Sequence, residues 1–99
     1  MKKYLFSKTI SWQIEQCENY IYILNNETGK YYMLESVGKE IWLFIAKNYN
    51  FDEMINKLYS IFNIDRNILI NDTKDLINNL LSENLIIRMI SNEIKDIIN

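Results

Sequence analysis

The sequence predicts a small α+β domain in which three short strands precede three amphipathic helices. In the first half of the chain, the runs 12–16, 20–24 and 30–34 contain many β-branched and aromatic residues, and apolar and polar residues alternate. The second and third runs are separated by 25–29, Asn-Asn-Glu-Thr-Gly, a turn sequence whose Asn and Gly tolerate positive φ. After Leu34 the apolar period changes from two to three or four, which indicates that a helix follows the third strand with almost no linker.

Each predicted helix has one apolar face and a recognisable start. The first helix is expected over about 36–47, with Ser36 or Glu35 near its cap. The second begins with Asn50 and Glu53 in a capping-box pattern, and Asp65 is suited to cap the third. The apolar faces are, in chain order, Val37, Ile41, Phe44 and Ile45; Met54, Ile55, Leu58, Tyr59 and Phe62; and Leu69, Thr73, Leu76, Ile77, Leu80 and Leu81.

The end of the chain is less regular. Asn84 predicts a left-handed termination of the third helix, before a short strand-like run at 85–87. Isoleucines then recur at helical spacing, so that 88–99 is expected to be either an extra helix or a tail. Because the chain has no proline, repeat or low-complexity linker, we expect one domain over 1–99, with its core at about 12–87.

Composition excludes several classes of function. The chain has no histidine and one cysteine, which excludes the usual zinc ligand sets and both Ser-His and Cys-His nucleophiles. Two glycines cannot build a Gly-rich phosphate loop. A net charge of −2 without a basic block argues against nucleic acid, and no apolar run approaches the roughly 18 residues of a membrane span. We therefore expect a cytoplasmic protein that is not an enzyme, uses no cofactor and has no nucleic-acid or membrane partner.

The single cysteine, Cys17, ends the first strand-like run. We expect it to be a small buried or half-buried residue, since no basic neighbour is present to lower the pKa of its thiol. One thiol cannot form an internal disulfide, which is consistent with a reducing compartment.

The order of these elements resembles the PqqD-like family, the small peptide-binding domains called RiPP recognition elements. The resemblance covers about 20–87 of the chain. It is carried by Tyr32-Met-Leu-Glu-Ser-Val-Gly-Lys-Glu-Ile-Trp42, by the capped helical segment 50–62 and by the leucine-rich segment 71–86. Two residues depart from the family pattern, because Glu35 replaces the customary Asn and Asn84 stands where Gly is usual.

This resemblance implies a three-stranded antiparallel sheet packed on a winged helix-turn-helix-like unit of three helices. It also implies that a leader peptide adds as an antiparallel strand to the edge of the third strand, in the groove beside the third helix. Transferred by position, the peptide-binding residues are Lys30, Tyr31, Tyr32, Met33 and Leu34 on the strand, and Asp72, Thr73, Leu76 and Asn79 on the helix.

Several of these residues also have a purely structural interpretation. Tyr32 and Leu34 alternate onto one face, which is typical of core positions, so Tyr31 and Met33 on the other face are better candidates for touching a peptide. Asp72 is suited to meet a lysine, arginine or backbone amide of a leader, but it is equally suited to be a surface acid.

The resemblance implies a free-standing protein that binds the leader of a ribosomally made precursor and presents it to a separate enzyme. We favour a lasso-peptide setting, in which that partner is a leader-cleaving protease followed by a cyclase. A radical-SAM or lanthipeptide maturation enzyme is the alternative partner.

Two other classes of function stay open. A winged-helix DNA-binding regulator requires a basic recognition helix, whereas the third helix region carries Asp65, Asp72, Asp75 and Glu83 against Arg66 and Lys74. A structural subunit would dock through the isoleucines of 88–99. Since an exposed strand edge can also pair with itself, we expect a monomer or a weak homodimer.

Overall fold

The computed structural model describes residues 3–89 and confirms the predicted α+β class. Three antiparallel strands are followed by three helices, and two further strands form a small second sheet. The elements are β1 (Tyr4–Phe6), β2 (Ile10–Glu15), β3 (Tyr20–Asn25), β4 (Tyr31–Glu35), α1 (Ser36–Ala46), α2 (Phe51–Phe62), α3 (Arg66–Ser82) and β5 (Ile86–Arg88). From residue 90 onward, the helix or tail predicted for 88–99 lies outside the described residues.

The larger sheet has the strand order β2-β3-β4, so that β4 is an edge strand. Both pairings are antiparallel. The smaller sheet pairs β1 with β5, also antiparallel, and places Tyr4 opposite Arg88. The sequence did not predict β1, because three residues are too few to establish an alternating pattern and its partner lies at the other end of the described chain.

Within residues 3–89, the helices cover one face of the larger sheet. Ile21 and Ile23 of β3 point to the covered face and are fully buried, and they lie opposite Leu34 and Tyr32 of β4. The intervening residues of β3 point to the other face, where Tyr22 is 37% exposed. Alternation therefore produces a core face and an outer face, as the sequence predicts.

Trp42 joins the two sheets to the helices. Its side chain is fully buried in α1, and its ring stacks on that of Phe6 with a centroid distance of 4.4 Å. Trp12 of β2 contacts the Trp42 ring edge-on, with a centroid distance of 6.0 Å. The core around it contains Tyr4, Ile21, Ile23, Ile41, Phe44, Ile45, Met54, Leu58, Leu69, Ile77, Leu80, Leu85 and Ile86.

The predicted helix ends are confirmed. Asn50 and Glu53 form a complete capping box at the start of α2. The Asp65 carboxylate accepts hydrogen bonds from backbone N–H groups in the first turn of α3. Asn84 has φ of 60°, the left-handed conformation expected of a residue that terminates a helix.

Two predictions of burial are wrong. Tyr59 is 46% exposed, because α2 packs through a narrower arc that includes the buried residues Ile55 and Leu58. Cys17 is exposed, because β2 ends at Glu15 and the cysteine lies in the following turn.

No helix within residues 3–89 has the length and apolar character needed to cross a membrane.

Candidate functional site: the open edge of β4 beside α3

The outer edge of β4 offers unpaired backbone groups. The Asn25 N–H donates to the Lys30 carbonyl across the β3–β4 pair at 2.9 Å. Because hydrogen-bonded residues alternate along an antiparallel strand, Tyr32 and Leu34 direct their N–H and C=O groups towards β3. The corresponding groups of Tyr31 and Met33 point away from the sheet, and no strand within residues 3–89 pairs with them.

The side chains of β4 follow the same alternation. Tyr31 is 69% exposed and Met33 is 52% exposed, both on the outer face of the sheet. Tyr32 and Leu34 are half-buried and pack against the hydrophobic core. The side chains of an added strand would therefore alternate between two faces. One set would lie beside Tyr31 and Met33, and the other set would point towards the helices.

The strand passes directly into α1. Glu35 ends β4 and serves as the N-cap residue of the helix, although its side chain makes no capping hydrogen bond. Ser36 follows with φ of 52°, a left-handed conformation that turns the chain sharply. This turn brings α1 under the end of β4 and leaves the Glu35 carboxylate exposed.

Helix α3 lies beside β4 with the opposite chain direction. Its end approaches the start of the strand, because Glu83 contacts both Lys30 and Tyr32. Further back along the helix, Leu76 approaches Leu34, as their packing around Gly38 shows. Asp72 lies one helical turn, about 6 Å, beyond Leu76 and thus towards the Glu35 end of the strand.

Gly38 of α1 lies close to both the strand and the helix. A Cβ at this position would lie 3.6 Å from Cδ2 of Leu34 and 3.6 Å from Cδ2 of Leu76. Both leucines are half-buried, so each keeps part of its surface accessible. Leu34, Gly38 and Leu76 therefore form an apolar surface next to the open edge; we call it the β4–α3 groove.

Glu83 closes the other end of the β4–α3 groove. The Tyr32 hydroxyl donates to Glu83 Oε1 at 2.6 Å, and Lys30 Nζ lies 3.8 Å from the same oxygen. This hydrogen bond, together with desolvation, raises the pKa of Tyr32 above its ordinary value of 10.0. The contact ties the beginning of β4 to the end of α3 and so helps to fix the width of the groove.

The structure brings the predicted strand residues together with Leu76 of α3. Asp72, Leu76 and Asn79 recur at intervals of four and three residues and share one stripe of α3, on which Asp72 and Asn79 are exposed. Continuing that stripe by four residues reaches Glu83, which was not among the predicted site residues. The spacing along the helix could have indicated Glu83. Its contact with Tyr32 has no local signal, because the two residues are 51 positions apart in the sequence.

Thr73 lies apart from this stripe. Its side chain is fully buried with Leu69 and Ile77 on the core face of α3, so a peptide in the β4–α3 groove could not reach it without moving the helix. The Thr73 hydroxyl has no hydrogen-bond partner among the described residues. We leave Thr73 out of the proposed contact surface.

Replacing Thr73 with valine tests this placement. Burying a hydroxyl without a partner costs about 1–3 kcal/mol, so Thr73→Val is expected to raise the free energy of unfolding by about 1 kcal/mol. Urea denaturation measures this change. Peptide affinity should stay within about twofold of the wild-type value, and a severalfold loss in the folded variant would mean that Thr73 does contact the peptide.

The outer face of the sheet has an acidic end. The register aligns Glu15, Tyr20 and Glu35 in one row across the three strands. Desolvation raises the pKa of Tyr20, and the charge of nearby Glu18 raises it further. The nearby cation Lys39 donates to the Asn19 side chain at 2.5 Å. The open edge therefore ends among several carboxylates.

The molecule also has a cavity away from β4. A cavity of about 510 Å³ lies between α2, α3 and the small sheet, and none of its lining residues belongs to β4. Within residues 3–89, no group of three or more His, Cys, Asp or Glu side chains is placed to hold a metal ion.

An open strand edge beside an apolar groove defines a class of small domain suited to binding an extended peptide by strand addition. A family model described as coenzyme PQQ synthesis protein D (PqqD) matches residues 21–86, about two-thirds of the chain. The chain belongs to the PqqD family, as the sequence resemblance predicts.

Two solved structures share the fold. One is TbiB1 in complex with the TbiA(beta) leader peptide, with a TM-score of 0.76 and 21% identity over 82% of this chain and 92% of that one. The other is lasso peptide synthetase B1 complexed with the leader peptide, with a TM-score of 0.78 and 15% identity over 86% of this chain and 98% of that one. None of the curated protein sequences compared matches the chain significantly.

Proposed function

We propose that this protein binds the leader segment of a ribosomally synthesised precursor peptide and presents it to separate processing enzymes. In this proposal the leader adds to β4 as a further antiparallel strand and lies in the β4–α3 groove. The protein itself is a non-catalytic binding module that works in the cytoplasm. The observation that carries the proposal is the open backbone edge of Tyr31 and Met33 beside the apolar groove.

Three findings support the proposal. The chain belongs to the PqqD family, and its fold is similar to that of two proteins whose structures were determined with leader peptides. Its β4 edge has no partner strand among residues 3–89. The exposed charges of α3 include Asp72 and Asp75, which do not favour phosphate binding, and we therefore do not propose a DNA-binding function.

The energetics require both the edge and the groove. The outward N–H and C=O groups of Tyr31 and Met33 offer up to four main-chain hydrogen bonds, each contributing about 1 kcal/mol net. A total of about 4 kcal/mol corresponds to a Kd of only about 1 mM. Guest side chains that pack on Leu34 and Leu76 must supply the remaining binding free energy. The groove therefore provides most of the affinity and the selectivity, and the strand edge fixes the chain direction of the peptide.

The partner enzyme is proposed from the same likeness. Both solved structures contain leader peptides, and one of the proteins is named lasso peptide synthetase B1. We therefore favour a leader-cleaving protease and then a cyclase as the recipients of the bound precursor. Holding the leader would raise the local concentration of the precursor at the enzyme and fix its orientation.

Isothermal titration calorimetry tests the proposal. The probe is the synthetic leader of the precursor peptide encoded next to this chain's gene, with a scrambled leader of the same composition as its control. We expect micromolar binding of the leader and none of the scrambled peptide. Absence of binding at tens of micromolar, or equal binding of both peptides, would overturn the proposed function.

A further inference from the structure

The backbone of β4 determines which guest side chains meet which surfaces. In an antiparallel pair, directly opposite residues point to the same face of the sheet. Guest residues opposite Tyr31, Met33 and Glu35 therefore point to the outer face, and those opposite Tyr32 and Leu34 point towards the β4–α3 groove. Five consecutive guest positions are thereby assigned to alternating environments.

The two ends of this surface differ in charge. At the beginning of β4, the Lys30 ammonium group is already close to Glu83. At the other end, Glu35 is exposed and has no ion-pair partner among the described residues, with Glu15 in the same cross-strand row. Asp72 lies one helical turn beyond Leu76 on α3, in the direction of this end. Among the described residues, the carboxylates of Glu35 and Glu15 at this end therefore have no paired cation.

An antiparallel guest strand meets these ends in a fixed order. Its N-terminal part lies opposite Glu35 and its C-terminal part lies opposite Tyr31. The residue opposite Glu35 points to the outer face beside the carboxylate, and the next residue turns inwards over Leu34, Gly38 and Leu76.

We propose that this protein selects leader segments in which a lysine or arginine opposite Glu35 immediately precedes an apolar residue that enters the β4–α3 groove. A second apolar residue follows two positions later, opposite Tyr32. This inference rests on the proposed function and names the class of peptide that the site accepts. A cross-strand pair of opposite charges contributes only modestly, so we expect discrimination of about two- to fivefold at that position.

Peptide display tests the inference without requiring the natural leader. A library of random 14-residue peptides is selected on the wild-type chain, on Glu35→Lys and on Glu27→Lys. Glu27 is an exposed acid in the β3–β4 turn, so Glu27→Lys makes the same change in charge as Glu35→Lys but outside the proposed contact. Since the Glu35 side chain makes no capping hydrogen bond, its replacement removes none from α1.

The expected wild-type result is enrichment of Lys or Arg one residue before an apolar position, with apolar residues again two positions later. On Glu35→Lys, the residue enriched at the first of these positions should change to Asp or Glu. Titration should show that this variant binds the dominant wild-type-selected peptide about fivefold more weakly. Glu27→Lys should leave both results unchanged.

The possible failures are distinguishable. In the first case, selected peptides bind and Met33→Pro abolishes that binding, so the proposed function stands. If no basic residue is then enriched, or if Glu35→Lys changes nothing, the charge inference is wrong. If no peptide is enriched, or if Met33→Pro leaves binding intact, the proposed strand addition fails and the inference fails with it.

Discussion

Met33→Pro is expected to weaken leader binding by about 5- to 150-fold while the domain stays folded. Proline removes the outward N–H of Met33 and leaves a guest carbonyl without its donor, which costs about 1–3 kcal/mol. The β3–β4 ladder is retained, because the Met33 N–H does not point to β3, and proline is tolerated on edge strands in that orientation. Calorimetric titration with the leader measures the affinity, and circular dichroism confirms the fold.

A matched control is available on the opposite edge of the same sheet. The Asn26 N–H donates to the Thr9 carbonyl, and alternation from that pair directs the Ile14 N–H away from β3. Ile14→Pro makes the same chemical change on β2 and should leave leader affinity within about twofold. If Met33→Pro bound the leader as well as the wild type does, the peptide would not be using the β4 edge.

Trp42→Ala is expected to lower the free energy of unfolding by about 3–5 kcal/mol, the usual cost of truncating a buried aromatic side chain. The substitution removes the ring that stacks on Phe6 and meets Trp12, and so separates β1 and β2 from α1. Native domains are commonly stable by only about 5–15 kcal/mol, so a large part of the total would be lost. Urea unfolding monitored by circular dichroism measures the change.

Trp42→Phe provides the comparison for this prediction. It keeps an aromatic ring beside Phe6 and also removes the Trp42 indole N–H, which is buried without a hydrogen-bond partner among the described residues. We therefore expect a smaller loss, about 1–2 kcal/mol. A loss below about 1 kcal/mol for Trp42→Ala would show that the aromatic cluster does not hold the two sheets to the helices.

Much of the fold follows from local patterns in the sequence. Alternation predicts the three strands of the larger sheet, and the change of period after Leu34 predicts that α1 follows β4 directly. The caps at Asn50 and Asp65 could be predicted because a side chain there satisfies backbone groups only a few residues away. Such features depend on near neighbours and are therefore visible in one sequence.

The features that were missed depend on distant contacts. β1 is stabilised by pairing with β5 and by the packing of Phe6 on Trp42, neither of which leaves a local pattern. Glu83 joins the site only because the end of α3 lies beside the beginning of β4. Thr73 is one residue away from the groove stripe, and a rotation of about 100° per residue is enough to bury it.

Amide hydrogen exchange measured by NMR tests the central claim at the level of single backbone groups. In the free protein, the amides of Tyr32 and Leu34 should already be protected by β3, whereas those of Tyr31 and Met33 should exchange rapidly. Adding the leader should slow the exchange of Tyr31 and Met33 and leave Tyr32 and Leu34 almost unchanged. Bound leader with Tyr31 and Met33 still exchanging rapidly, or strong protection of both amides before any peptide is added, would contradict strand addition at β4.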